Sequence, residues 1–148
     1  MNVKNFVRIE FPSIPSNVSF ARSCVGAFAA QLDCTLDDIE EIKLVVSEAV
    51  SNCIIHGYEN EPHGKVVLMV SIHDNNSLEI IIEDYGKGIN DINQALEPTY
   101  SSNPARMGLG FTFMKSFMDE LEVNSIPGEG TSLKLLRTFG VADREAYA

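Results

Sequence analysis

Positive charge is in short supply in this chain of 148 residues: 11 Lys and Arg stand against 21 Asp and Glu, a formal net charge of −10. Nonspecific nucleic-acid binding draws its affinity from clustered cations that displace counterions, so that class is excluded. An acidic balance suits a protein that reads its partner through a local patch rather than a general field. Long apolar runs are missing too. Val66-Val67-Leu68-Met69-Val70 is typical of the longest, far short of the roughly 20 residues of a membrane-spanning helix. Met1 to Phe11 alternates charged and apolar residues and lacks the apolar stretch of a signal peptide. The expected location is therefore the cytoplasm, without membrane or direct nucleic-acid contact. Cysteine is sparse: Cys24, Cys34 and Cys53 are odd in number and show no C-x-x-C spacing. A redox switch, or a metal site with His56, His63 or His73, is one reading of them. Small thiols, at least two of them on apolar helix faces, is the simpler reading and the one adopted.

What is present is a globular composition, 45% hydrophobic, with no repeat or low-complexity tract. One domain over residues 1–148 is expected, long enough to bury a core, with residues from about 141 to 148 as a fraying tail. Val3 to Phe11 reads as a strand closed by Pro12, and Ser16 to Leu32 as a helix capped by Ser16 or Asn17. Thr35-Leu36-Asp37-Asp38 resembles a capping box. The helix it opens sets Ile39, Ile42, Val46, Ala49, Val50 and Cys53 on one stripe, with Gly57 as its stop. Lys65 to His73 and Leu78 to Glu83 are rich in β-branched residues around Asp74-Asn75-Asn76-Ser77, a hairpin signal. Asp91 to Leu96 suggests a short helix, Glu97 to Met107 a mobile loop, and Gly110 to Asp119 a helix with Phe111, Met114, Phe117 and Met118 inward. Glu120 to Ile126 and Thr131 to Phe139 form a last hairpin around Pro127-Gly128-Glu129-Gly130. The order predicts an α/β (α+β) two-layer sandwich: a mixed, largely antiparallel sheet covered on one face by helices.

Three ordered patterns carry chemistry. On the helix opened by Thr35, the residues Glu48, Asn52 and His56 recur every four positions and share a face beside the apolar stripe. An asparagine carbonyl is a hard ligand suited to magnesium, and a glutamate one turn away can take a proton from an attacking hydroxyl. Asp84 follows an apolar strand and precedes Gly86 and Gly88. A carboxylate held there only accepts hydrogen bonds, so it pairs with the exocyclic amine of adenine and repels the carbonyl of guanine. The glycines permit close approach of a ring or phosphate. Gly108 and Gly110 precede an apolar helix whose exposed amides favour phosphate, and Arg106 in the loop before them can swing onto a terminal phosphate. Thr131, after Gly130, can supplement the contact from Asp84.

With these residues assembled, the chain resembles the GHKL (Bergerat-fold) ATPases, which include gyrase and the catalytic domains of histidine kinases. Within them it is most similar to the small anti-sigma-factor serine kinases, in particular the anti-sigma-F factors of spore-forming bacteria. The similarity spans nearly the whole chain. It includes Ser19-Phe20-Ala21-Arg22, Glu41-Ile42-Lys43, Val45-Val46-Ser47-Glu48-Ala49-Val50, Ile54-Ile55-His56-Gly57-Tyr58, Gly110-Phe111-Thr112 and Phe117-Met118-Asp119-Glu120. The resemblance implies a homodimer that clamps a sporulation sigma factor when ATP-bound and uses Mg-ATP to phosphorylate a serine on an anti-anti-sigma factor. It implies Glu48 as catalytic base and Asn52 as the Mg2+ ligand, and Asp84 with Thr131 reading adenine. Gly86, Gly88, Gly108 and Gly110 shape the pocket and its lid, and Arg22, exposed on the first helix, faces the sigma factor. Only Ala105 separates Pro104 from Arg106, a lid shorter than the resemblance implies. Two alternatives follow: an ATP-gated sigma-binding module with negligible kinase activity, or an anti-sigma kinase acting on a stress-response sigma factor.

Overall fold

The computed structural model describes residues 2–96 and 107–140, and within the second stretch the side chains from residue 110 onward. Strand β1 (Val3–Pro12) leads into helix α1 (Ser16–Ala29) and then α2 (Leu36–Asn52), which continues as one π-helical turn over Cys53–Gly57. Strands β2 (Lys65–His73) and β3 (Ser77–Asp84) form the expected hairpin. Helices α3 (Ile92–Ala95) and α4 (Met107–Phe117) then precede a second hairpin, β4 (Glu120–Ile126) and β5 (Gly130–Thr138). One sheet results, in the order β1-β2-β3-β5-β4. The two-layer sandwich is as the sequence predicts. The sheet, expected to be mixed, is antiparallel at every pairing, because the connection through α3 and α4 returns the chain so that β5 runs against β3.

The side-chain period of two decides which face is buried. On β3, Leu78, Ile80 and Ile82 face the helices and are all but inaccessible, while Glu79 and Glu83 take the other face. Val66, Leu68 and Val70 of β2 and Leu133 and Leu135 of β5 continue the apolar layer. Against it lie Ala21, Val25 and Ala29 of α1 and Val45, Val46, Ala49 and Val50 of α2. The opposite face is open: Phe6 is 71% exposed there, and Glu79 and Lys134 pair across it at 3.8 Å.

Local signals explain where α2 starts. Thr35 Oγ1 accepts the Asp38 N–H at 3.0 Å, and Asp38 Oδ2 accepts the Thr35 N–H at 2.9 Å, completing the capping box. Arg137 at the end of β5 clasps the same turn, donating to Asp38 at 2.6 Å and to Glu41 at 3.1 Å. Helix α1 differs from expectation at both ends. Pro15 occupies its cap position with no side-chain cap bond, since proline carries no side-chain acceptor, and Asn17 donates to the Pro12 carbonyl; the helix ends at Ala29, short of Leu32. The turn between β2 and β3 depends on Asn76, whose φ of 61° an asparagine tolerates. Its amide bonds both the N–H and the carbonyl of Asp33 and the carbonyl of Phe139, tying three segments together.

Ile80 is 0% exposed at the centre of the sheet. Replacing it with alanine is expected to lower unfolding stability by about 2–5 kcal/mol, and with valine by about 0.5–1.5 kcal/mol, in denaturant titrations.

Candidate functional site

The end of β3 and the end of α2 build the site together. After Asn52 the helix widens by one residue per turn, shown by the Tyr58 N–H reaching the Cys53 carbonyl at 3.0 Å. Such turns recur at functional sites. The widening carries Gly57 against the start of the loop that follows Asp84, where the Gly57 carbonyl accepts the Lys87 N–H at 2.9 Å. A Cβ on Gly86 would stand 2.0 Å from that carbonyl oxygen, so only glycine fits. Tyr58 secures the loop further: its hydroxyl accepts the Tyr85 N–H at 2.6 Å and donates to the Lys65 carbonyl at 2.5 Å.

Asp84 is thereby 6% exposed. Its Oδ1 accepts the Gly86 N–H at 3.0 Å. Burial pushes its pKa up; the Gly86 N–H, the Cys53 thiol and the Thr131 N–H oppose the rise by bonding the charged form. Thr131 faces Asp84 across the sheet. The Thr131 hydroxyl meets Ser125 Oγ at 2.8 Å, and Ser125 spends its own proton on the Gly130 carbonyl at 3.0 Å. Thr131 is therefore the donor to Ser125 and presents only lone pairs elsewhere.

Above Asp84 stands the second half of the site. Asn52 Nδ2 is buried with no hydrogen-bond partner among the described residues. Leaving a polar atom in that condition costs about 1–3 kcal/mol. Glu48 lies one turn before it. The first turn of α4 closes over both: a Cβ on Gly110 would lie 2.6 Å from Glu48 Oε1 and 3.3 Å from Asn52 Nδ2. The cleft lined by Asn52, Asp84, Phe111 and Thr131 holds about 30 Å³, room for about one water, whereas small-molecule sites run to roughly 300 Å³ or more.

The structure thus brings Asn52, Asp84, Gly88 and Thr131 to one cavity, with Glu48, Gly86 and Gly110 at its margin. Gly88 has φ of 74°, a conformation that favours glycine. Gly108 and Gly110 were expected before the helix. They lie inside its first turn, since α4 starts at Met107 and packs backbone against Glu48. Arg106, and all but the last residue of the loop expected over Glu97 to Met107, fall outside the described residues, as does the tail from 141 to 148. Arg22 lies on α1, away from the cavity, and is half-buried rather than exposed, since its neighbours Ala21 and Val25 pack into the core. His56 lines the cavity, its pKa lowered by burial and by the nearby Lys87. Sequence reasoning missed Ser125, Tyr58 and the proximity of Cys53 to Asp84. Ser125 was within reach, because the expected Pro127–Gly130 turn sets it opposite Thr131.

This arrangement has relatives. Residues 11–137 match the family described as the histidine kinase-like ATPase domain. The chain is 49% identical over 137 residues to the anti-sigma F factor of Oceanobacillus iheyensis, covering 91% of this chain and 93% of that one. It is 49% identical over 139 residues to the anti-sigma F factor of Clostridium beijerinckii, covering 93% and 96%. Among solved structures, the RsbU and RsbW domains of a Mycobacterium tuberculosis protein superpose with a TM-score of 0.67 at 17% identity, over 91% of this chain and 32% of that one. That last likeness concerns the fold alone.

Burial of Asp84 has a consequence for stability. Its folded pKa is raised, so between the unfolded and folded values the folded state holds the extra proton, and stability falls as pH rises through the folded pKa. Asp84→Asn removes that cost. The variant is expected to unfold at higher denaturant than wild type at pH 7, with the gap closing as pH falls below the ordinary aspartate range, in urea titrations without nucleotide.

Proposed function

This chain belongs to the histidine kinase-like ATPase family, as a relative of its anti-sigma F factors, and on that premise we propose that it is an ATP-dependent anti-sigma factor and protein serine kinase. In this reading the ATP-bound protein, a cytoplasmic homodimer of single-domain subunits, holds a sporulation sigma factor. It also transfers the terminal phosphoryl group of ATP to a serine of an anti-anti-sigma factor. No helix of the described residues is long and apolar enough to cross a membrane.

The observation that carries the proposal is the unpaired amide of Asn52 beside Glu48, both beneath the first turn of α4. Rotating the amide by half a turn exchanges nitrogen for oxygen, so the same position offers a carbonyl to a hard cation. Asn52 would hold Mg2+ there, and bound magnesium supplies charge neutralisation for phosphate oxygens. The start of α4, which contains Gly108 and Gly110, would favour the phosphates through the helix dipole, and Arg106 would reach the terminal one. Asp84 accepts from the adenine amine, Thr131 adds an acceptor beside it, and Gly86 and Gly88 let the ring approach backbone. Glu48 takes the proton of the serine hydroxyl as its oxygen bonds to phosphorus and ADP leaves. Arg22 would meet the sigma factor.

The test is Mg- and ATP-dependent phosphate transfer to a purified anti-anti-sigma protein. Glu48→Ala is expected to lower transfer by about 100-fold or more while ATP affinity stays within about threefold. Equal loss of transfer and of ATP binding contradicts Glu48 as base. ATP binding without transfer by the wild type favours the clamp without catalysis, which the short spacing from Pro104 to Arg106 also suits. Sigma affinity is expected to be higher with ATP than with ADP or no nucleotide; equal affinities in the three states would remove the gating.

A further inference from the structure

Asp84, Thr131 and Ser125 stand side by side across three strands, since Thr131 of β5 pairs with Asp84 of β3 and with Ser125 of β4. Opposed residues of an antiparallel ladder share one face of the sheet. Asp84 and Thr131 line the cavity, and Ser125 lies one strand further out. The Ser125 hydroxyl is fully committed. It donates its proton to the Gly130 carbonyl at 3.0 Å and accepts the Ile89 N–H at 2.8 Å. Its remaining lone pair faces the Thr131 hydroxyl at 2.8 Å. A serine hydroxyl has one donor and two acceptor sites, so the proton between the two oxygens is that of Thr131. Backbone packing fixes Ser125 in this position. A Cβ on Gly88 would stand 2.4 Å from the Ile126 carbonyl oxygen, and one on Gly130 2.1 Å from that of Asp84. The Gly128 N–H, bonded to the Lys87 carbonyl at 2.7 Å, ties the same two turns together.

We propose that Ser125 is a positioning residue for base selection: by holding the Thr131 proton it keeps Thr131 an acceptor, so the site takes a purine bearing an amine over one bearing a carbonyl. The inference rests on the reading of this cavity as the adenine site. A hydroxyl free to rotate accepts from an amine or donates to a carbonyl, so Thr131 alone would not discriminate between them. Fixing its proton on Ser125 removes a donor that could receive the carbonyl of an oxopurine beside Asp84. The base edge then meets acceptors from both Asp84 and Thr131. An oxopurine carbonyl placed there is left unpaired, which a site built for the opposite partner rejects strongly. Ser125 touches no nucleotide in this arrangement and acts through Thr131.

The experiment is equilibrium binding of Mg-ATP and of magnesium inosine triphosphate to wild type, Ser125→Ala, Ser125→Thr, Thr131→Val and the double variant Ser125→Ala with Thr131→Val. Inosine triphosphate carries a carbonyl where ATP carries its exocyclic amine, so it probes that edge of the ring. For Ser125→Ala the affinity ratio of ATP to inosine triphosphate is expected to fall about three- to tenfold, through tighter binding of inosine triphosphate. Ser125→Thr, which keeps a hydroxyl, is expected to keep the ratio. In the Thr131→Val background the alanine change is expected to leave the ratio unaltered. The inference is overturned if Ser125→Ala keeps the wild-type ratio, equal losses for both nucleotides included, since that is the pattern of a loosened Ile89 loop. A ratio that falls through loss of ATP affinity alone, or falls as far without the Thr131 hydroxyl, overturns it as well. Should Ser125→Ala fail to fold, Ser125→Cys decides: its weaker acceptor must lower the ratio, and an unchanged ratio overturns the inference. A wild type that binds no ATP sinks the functional reading and the inference together; unchanged ratios around an ATP-binding wild type sink the inference alone.

Discussion

Backbone meets backbone where α2 ends beside the end of β3. The Gly57 carbonyl bonds the Lys87 N–H, and Gly86 lies so close that any side chain would collide with that carbonyl. Without this approach Asp84 would sit at an open strand end, solvated and free to rotate. With it, the carboxylate is buried, bonded by the Gly86 N–H and laid flat on Gly57. The same contact sets the height of α2 above the sheet. Asn52 and Glu48, one and two turns further back, are thereby stationed over the carboxylate on a helix rather than on a loop.

The arrangement is held against its own cost. A buried carboxylate and an unpaired buried amide each disfavour the folded chain. Stabilising features lie elsewhere. The apolar layer on β2, β3 and β5 is sealed by α1 and α2. Arg137 bridges the last strand to the first turn of α2, with Asp38 serving both that bridge and the capping box. Natural sites commonly show such local conflict within a locally consistent frame.

How much of this was legible follows from how local each signal is. The capping box at Thr35–Asp38, the alternation in β2 and β3, and the Asp84-Gly86-Gly88 spacing are written within a few residues, and the structure has them where the sequence puts them. The π-helical turn was not legible. Its extra residue is selected by the distant contact of Gly57 with Gly86, and Cys53–Gly57 reads on its own as more α-helix. Cys53 and Ile54, at its start, are both buried. The cap of α1 falls one residue before the polar pair, on Pro15, whose ring has no oxygen to accept an N–H. Gly108 and Gly110 look like a pre-helical loop from composition alone. Both lie in the helix, and at Gly110 a Cβ would stand 2.6 Å from Glu48 Oε1, so glycine is required there.

The central claim is that this cavity reads adenine through an ionised, fixed Asp84. Calorimetric titration of the wild-type protein with ATP and with GTP, each with magnesium at neutral pH, addresses it most directly. The account predicts ATP binding with GTP weaker by about 100-fold or more, since the guanine carbonyl would face a carboxylate across a buried contact. Equal affinities for the two nucleotides, or no binding of ATP, would contradict it.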